Sequence, residues 1–121
     1  GADQLVQFLE RRGFSSQLVD MRAMDAILHL KSALNYLGDG VFLVDERLKD
    51  LPMLRERQVI TVPLAEAYAA NCLRINDIVL VPAGFPQTLS AIDATGIKTS
   101  VLDVSEFRKL DGGLSCLSLR W

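Results

Sequence analysis

The feature that most constrains the fold of this chain is a unit of about 40 residues that recurs along it. In each unit a helical segment is followed by an apolar strand, a loop and a second strand that carries a histidine or a cysteine. The residue pairs at that point are Leu28-His29, Asn71-Cys72 and Ser115-Cys116. Because one such block cannot bury its apolar faces alone, the sequence predicts an array of packed α/β units.

Local patterns predict the elements of each unit. Helices ending near a glycine are predicted over residues 3–12 and 87–95, with weaker helical patterns around Pro52 and over 64–70 and 104–109. Apolar runs and alternation predict strands over 14–21, 27–37, 41–44, 59–62, 72–75, 78–81, 97–102 and 114–119. The turn signals at 38–40 and 76–77 each join two apolar runs, which predicts two hairpins.

One face of the first predicted helix is apolar. Leu5, Phe8 and Leu9 fall on this face at helical spacing, which is typical of a stripe that packs against a core. We therefore predict that these side chains are part of the core and not part of a cofactor site.

Composition limits the classes of function. The chain has 121 residues and a net charge of −2, which predicts a single domain over residues 1–121 and excludes the basic balance of a nucleic-acid-binding protein. No segment resembles a signal peptide and no apolar run is long enough to span a bilayer, so we expect neither. We expect a cytoplasmic protein with neither nucleic acid nor membrane as a partner.

The chain has two cysteines and one histidine. Two cysteines are too few for a disulfide framework, and their spacing does not match a zinc site. A Cys72–Cys116 bridge is conceivable, but a reduced pair is preferred because nothing marks secretion. No metal or cofactor is expected.

A cysteine and a histidine brought together by a repeating array can form a nucleophile and a general acid–base. His29, Cys72 and Cys116 are the residues that could face a common centre. Purely structural roles for these residues also stay open, because cysteine is among the most buried residue types and a lone histidine is usually structural. Cys72 is interpreted as a packed core thiol, and Cys116 is predicted near the start of a terminal strand after a glycine bend.

The amino-acid sequences of several segments resemble those of one enzyme family. Residues 28–32 with 37–40, and residues 106–116, closely resemble the dimethylarginine dimethylaminohydrolases of the amidinotransferase (pentein) superfamily. Residues 66–73 with 81–86 are also similar to this family. The lysine and serine that follow His29 favour the dimethylarginine branch over arginine deiminases and glycine amidinotransferases.

The resemblance implies a fold and a set of roles. The fold would be α/β, a partial pentein (α/β propeller) with about three of five ββαβ-type repeats, mixed sheets and outer helices, matching the C-terminal portion of the family. Cys116 would attack the guanidinium carbon of an N-methylated arginine, and His29 would act as general acid–base. Backbone carbonyls around Leu28 and Leu110 would receive guanidinium protons, and Ser115 would shape the pocket.

The chain also departs from the family pattern. The acidic residues that hold the guanidinium, and the glutamate that completes the catalytic set, lie in the family's N-terminal half, which has no match here. An incomplete ring exposes strand edges, which predicts a homo-oligomer or pairing with a separate N-terminal half-chain. Two functions stay open: a cysteine hydrolase acting on methylated arginine, and a non-catalytic chain that acts through association.

Overall fold

The computed structural model describes residues 1–24 and 26–118, and it contains two three-stranded mixed sheets in that part of the chain. In each sheet the first two strands are antiparallel and the third is parallel to the second. The strands are β1 (Leu34–Gly38), β2 (Val41–Asp45) and β3 (Gln58–Val62) in the first sheet, and β4 (Leu73–Ile75), β5 (Ile78–Pro82) and β6 (Lys98–Leu102) in the second. The identical order of the two sheets confirms a repeat of α/β units over residues 34–62 and 73–102, whereas His29, Cys72 and Cys116 all lie outside the strands.

Both predicted hairpins are confirmed. Gly38, Asp39 and Gly40 join β1 to β2 with φ angles of 106°, 51° and 80°, and Asn76 begins the β4–β5 turn with a φ of 52°. Glycine enters this left-handed region freely, and asparagine and aspartate do so more readily than other residues. The turn chemistry of the sequence therefore sets the register of each hairpin.

Four α-helical segments and three 3₁₀ segments lie in the described residues. The helices are α1 (Ala2–Glu10), α2 (Leu30–Ala33), α3 (Pro86–Asp93) and α4 (Ser105–Arg108). The 3₁₀ segments are Glu46–Leu48, Pro52–Leu54 and Leu64–Ala70. The weak helical pattern around Pro52 thus corresponds to a single 3₁₀ turn, because proline fits the first turn of a helix but cannot continue one.

The core forms two clusters. The larger lies between the sheets and α3, and its fully buried members include Leu37, Leu43, Val62, Cys72, Val79, Val81 and Ile92. The smaller joins α2 to the other face of the first sheet through Ile27, Ala33, Val44, Leu48 and Leu54. Each fully buried aliphatic side chain contributes about 1.5–3 kcal/mol of stability.

The segment Leu64–Ala70 is fastened to α3 by Glu66. The buried carboxylate of Glu66 accepts hydrogen bonds from the backbone of Gln87 (3.1 Å) and Thr88 (2.7 Å) and from the Thr88 hydroxyl (2.7 Å). The two backbone N–H groups belong to the first turn of α3, where they have no partner inside the helix. Burial raises the pKa of Glu66, but the hydrogen bonds from Thr88 and Gln87 together lower it by more than burial raises it. The net pKa is therefore below the ordinary value.

Two predictions about the first 33 residues are wrong. Residues 14–21 are irregular instead of a strand. The predicted strand over 27–37 begins only at Leu34, because residues Leu30–Ala33 form α2. Ile27, Leu30 and Ala33 recur at helical spacing and pack together in the smaller core cluster, so the 3–4 period prevails over the alternation that predicted a strand.

Helix α1 is confirmed, but its predicted burial is wrong for this chain. Leu5 is 59% exposed and Phe8 is 50% exposed, while Leu9 is partly buried, and the helix has no fully buried residue. Phe14 and Leu18, which follow the helix, are also exposed, each at 61%. The apolar stripe is present in the sequence, but most of its side chains stay exposed in the structure.

Candidate active site

Cys116 lies on a tight turn. The backbone N–H groups of Cys116 and Leu117 donate to the Gly113 carbonyl at 2.9 and 3.1 Å. The prediction of a terminal strand is therefore wrong for residues 114–117, while Leu119 lies outside the described residues. Leu114 and Ser115 are consecutive and both buried, whereas Cys116 and Leu117 are both exposed. That pairing of neighbours does not fit the alternation of a strand.

The side chain of Asn71 holds this turn in place. Its Oδ1 accepts a hydrogen bond from the Ser115 backbone N–H at 2.9 Å, and its Nδ2 lies 3.7 Å from the Cys116 Sγ. The Tyr68 hydroxyl donates to the Gly112 carbonyl at 2.6 Å. The end of the Leu64–Ala70 segment thus supports both the glycine pair and the cysteine.

The segment that carries His29 reaches the same turn. His29 is extended (φ −140°, ψ 142°) and exposed, and it immediately precedes α2. Lys31 Nζ donates to the Ser115 carbonyl at 3.4 Å, and the Ser115 hydroxyl donates to the Lys31 carbonyl at 3.4 Å. The structure therefore joins the neighbours of His29 and Cys116 directly, across 84 positions of sequence.

Asn35 adds a second bridge between the same parts of the chain. Its Nδ2 donates to the carbonyls of Lys31 at 2.8 Å and Ala70 at 2.7 Å. This amide connects α2 to the end of the Leu64–Ala70 segment without touching the Cys116 turn. The histidine segment, the Asn71 segment and the cysteine turn consequently form one hydrogen-bonded assembly.

The environment of Cys116 favours the thiolate. Partial burial raises the pKa of Cys116, but a hydrogen bond from the Gly113 backbone, the Asn71 amide and the positive charge of Lys31 lower it, and the net pKa is below the ordinary value. Cys72 is free and completely buried, and burial raises its pKa to about 12. The interpretation of Cys72 as a core thiol is consistent with this burial, and the described arrangement leaves both cysteines unbridged.

A cleft of about 550 Å³ adjoins the assembly. Its polar lining residues include Ser32, Asp45, Arg47, Tyr68, Asn71, Arg108 and Asp111. Buried Asp45 accepts from the Arg47 side chain at 2.8 and 2.5 Å, so burial raises the pKa of Asp45 but the Arg47 contacts lower it overall. A cleft of this volume suits a small polar molecule.

The predicted substrate-binding residues have different surroundings. Leu28 is 80% exposed and lines the cleft. Leu110 is 88% exposed and precedes Asp111, which lines the same cleft. Ser115 is buried within the hydrogen-bonded assembly. In the part of the chain that the structure describes, no cluster of three or more His, Cys, Asp or Glu side chains could hold a metal ion.

Sequence reasoning missed Asn71 and Tyr68 as supports of the Cys116 turn. One signal was present for Asn71, because it precedes Cys72 as Ser115 precedes Cys116 in the next unit. The partner of Asn71 is nevertheless the cysteine of that next unit, 45 positions away, and not its own neighbour.

No family model matches the chain. Among curated proteins, the chain is 39% identical over all of its 121 residues to a dimethylarginine dimethylaminohydrolase of Pseudomonas aeruginosa and spans 46% of that protein. It is 34% identical over 95 residues to a protein of the same name from Streptomyces coelicolor, spanning 36% of it. The chain therefore spans about half or less of the length of these curated relatives.

Solved structures agree with this similarity. A cysteine-to-serine mutant of the Pseudomonas aeruginosa enzyme complexed with citrulline superposes with a TM-score of 0.92 at 38% identity, over 100% of this chain and 46% of that one. A histidine-to-glycine dimethylarginine dimethylaminohydrolase, as an adduct with S-methyl-L-thiocitrulline, gives the same TM-score, identity and coverage. An amidinotransferase from Microseira wollei is 20% identical with a TM-score of 0.79, over 98% of this chain and 37% of that one, and shares the fold.

The two mixed sheets and these superpositions define the fold as part of the pentein fold of the amidinotransferase superfamily, as predicted. In sequence and structure, the chain is similar over its whole length to a dimethylarginine dimethylaminohydrolase, of which it spans less than half. None of the helices in the described residues has the length and apolar character needed to cross a membrane.

Proposed function

We propose that this chain provides the nucleophile and the general acid–base of an amidine hydrolase that converts N-methylated arginine to citrulline. The observation that carries the proposal is the exposed Cys116 thiol, whose pKa is lowered by groups on three separate segments. The relatives support the substrate class, since one is complexed with citrulline and another is an adduct with S-methyl-L-thiocitrulline.

The chemistry follows from these two groups. The Cys116 thiolate attacks the guanidinium carbon, and the C–N bond to the methylated nitrogen breaks as His29 gives that nitrogen a proton. Methylamine or dimethylamine leaves, and a thiouronium remains on sulfur. Water then adds to the same carbon as His29 takes its proton, and the C–S bond breaks to release citrulline and restore the thiolate. This covalent route divides one difficult displacement into two easier steps.

Binding of the substrate requires hydrogen-bond acceptors in addition to Cys116 and His29. A guanidinium is a cation, and its recognition calls for carboxylates or carbonyl oxygens nearby. Asp45 and Asp111 line the cleft, but Asp45 is already paired with Arg47. We propose that the backbone at Leu28 and Leu110 contributes acceptors and that the remaining contacts come from a partner half-chain corresponding to the unmatched length of the relatives.

Citrulline release from asymmetric dimethylarginine tests this function. The chain alone is expected to turn over slowly or not at all, and addition of the unmatched half of a relative is expected to restore activity. Cys116→Ser should abolish the restored activity, because a hydroxyl of high pKa replaces the thiolate. Cys72→Ala is the matched control, since it removes the other thiol and should leave turnover in place. Loss of activity with Cys72→Ala but not with Cys116→Ser would refute the assignment.

A second candidate function is association without catalysis. It is favoured by the exposed apolar surface of Leu5, Phe8, Phe14 and Leu18, each at least half exposed. Exposed apolar side chains that cluster commonly mark a contact with another protein. Such a chain would act as a homo-oligomer or as one half of a two-chain protein.

Sedimentation distinguishes the alternatives. Self-association predicts a dimer or larger species at micromolar concentration that dissociates in Leu5→Ser/Leu18→Ser, whereas a monodisperse wild-type monomer would contradict it. If the chain is monomeric but binds the unmatched half of a relative, and only the pair releases citrulline, the two-chain hydrolase is the correct function.

A further inference from the structure

We propose that Asn71 is a positioning residue for Cys116: its side-chain amide fixes the turn that carries the thiol and directs an N–H group at Sγ. The catalytic meaning of this role rests on the proposed function of Cys116, whereas the contacts themselves do not depend on it.

The first observation is the pair of bonds made by one amide. Oδ1 accepts the backbone N–H of Ser115 at 2.9 Å, and Nδ2 lies 3.7 Å from Sγ, within the range of an N–H···S hydrogen bond. Asn71 is only 5% exposed, so an unpaired amide there would cost stability. Both ends of the side chain are thus satisfied by the Cys116 turn.

The orientation of the amide is determined by chemistry. The Ser115 N–H can only donate, so the amide atom facing it must be the oxygen. The other end of the planar amide is then the NH₂ group, and it is the end near Sγ. A hydrogen-bond donor beside sulfur stabilises the thiolate more than the thiol, and Asn71 is one of the groups that lower the pKa of Cys116.

The second observation is the room made for this amide by Gly113. A Cβ built on Gly113 would lie 2.0 Å from Asn71 Nδ2 and 2.5 Å from Asn71 Cγ. The absence of a side chain at position 113 is therefore what allows the amide to approach the turn. The glycine pair, which first indicated a flexible bend, has a specific packing role at its second residue.

Asn35 provides a matched control within the same assembly. It is also an asparagine whose amide joins separate segments, through the Lys31 and Ala70 carbonyls, but it makes no contact with the thiol. If Asn71 acted only by holding segments together, the loss of either asparagine would affect Cys116 alike.

The test is the pH dependence of Cys116 alkylation by iodoacetamide, followed by intact mass and peptide mapping. Asn71→Asp keeps the oxygen that accepts Ser115 N–H but replaces the donor with a negative charge, so the labelling midpoint should rise by about one pH unit or more. Asn71→Ala removes the donor without adding charge and should raise the midpoint less. Asn35→Ala should leave the midpoint near that of the wild type.

Two results would overturn the proposal: an unchanged midpoint in Asn71→Asp, or an equal rise in Asn35→Ala. If Asn71→Ala does not fold, as judged by circular dichroism, the near-isosteric aspartate variant decides alone. The measurement needs no substrate. A wild-type protein that makes no citrulline even with the unmatched half of a relative would refute the proposed hydrolase and leave the labelling result standing.

Discussion

Cys72 and Cys116 end corresponding parts of successive units, yet their surroundings differ in every respect that controls thiol chemistry. Cys72 is enclosed by apolar side chains between the two sheets, where burial raises its pKa to about 12. Cys116 is exposed on a turn, beside an amide donor and a lysine. The comparison teaches that a repeat can place the same residue type twice, while contacts between units decide which copy becomes reactive.

The largest expected difference between the two thiols is in their rate of alkylation. The pKa of Cys72 is raised to about 12, roughly three units above that of an ordinary thiol, whereas the pKa of Cys116 is lowered from the ordinary value. Each unit is a tenfold change in thiolate fraction, so iodoacetamide at pH 7 should label Cys116 at least ~1000-fold faster. Peptide mapping after a timed pulse measures the ratio, and comparable labelling of Cys72 in the folded protein would remove the distinction.

Replacement by serine should reduce stability more at Cys72 than at Cys116, so the site that is less reactive toward alkylation is the more important for folding. Cys72→Ser places a hydroxyl in an apolar core and should lower the free energy of unfolding by about 1–3 kcal/mol. Cys116→Ser, at an exposed position, should change it by less than about 0.5 kcal/mol. Urea denaturation followed by circular dichroism gives both values. Equal losses would show that Cys116 is also a packing residue.

Gly113→Ala should make Cys116 behave more like an ordinary cysteine. The added methyl group would displace the Asn71 amide, and loss of this donor should slow alkylation at pH 7 by about tenfold, equivalent to about one pKa unit. Gly112→Ala is the control, because a Cβ there would meet the Phe107 carbonyl at the milder distance of 3.0 Å. A larger effect at position 112 than at 113 would contradict the role of Asn71.

The smallest expected effect concerns Glu66, which anchors the segment leading to Asn71 and Cys72. Its folded-state pKa is lowered, so its contribution to stability is complete above the unfolded pKa of about 4.3 and is lost as pH falls through the folded value. Glu66→Gln should cost about 1 kcal/mol at pH 7. As the pH falls through the folded-state pKa of Glu66, the variant and the wild type should converge in urea denaturation, and a constant difference at every pH would refute the ionic origin.

Sequence patterns predicted the elements whose structure is local. Gly38 and Gly40 around Asp39, and Asn76 before Asp77, determine their turns by their own backbone preferences, so both hairpins were predicted. Residues 41–44 and 78–81 are apolar throughout and form strands at the centre of their sheets, as such runs commonly do.

The errors occur where distant contacts decide the structure. The alternation of Leu117 with its neighbours resembles a strand, but Asn71 and Lys31 hold Ser115 in a turn from 44 and 84 positions away. The approach of α2 to that turn depends on the same contacts. The chemical roles of Cys116 and His29 came from resemblance and stay predictions, because the pattern around them does not encode which groups surround the sulfur.

The span of those contacts gives Cys116 a use as a reporter of folding. The amide and the ammonium that lower its pKa belong to residues 45 and 85 positions earlier, so neither is near the sulfur in an unfolded chain. A newly synthesised or denatured molecule therefore carries a cysteine of ordinary acidity, and the activated thiolate exists only once the segments of Lys31 and Asn71 have docked against the Cys116 turn. The time course of thiolate absorbance at 240 nm after dilution from urea would thus follow the docking of Lys31 and Asn71 against the Cys116 turn, a non-local step.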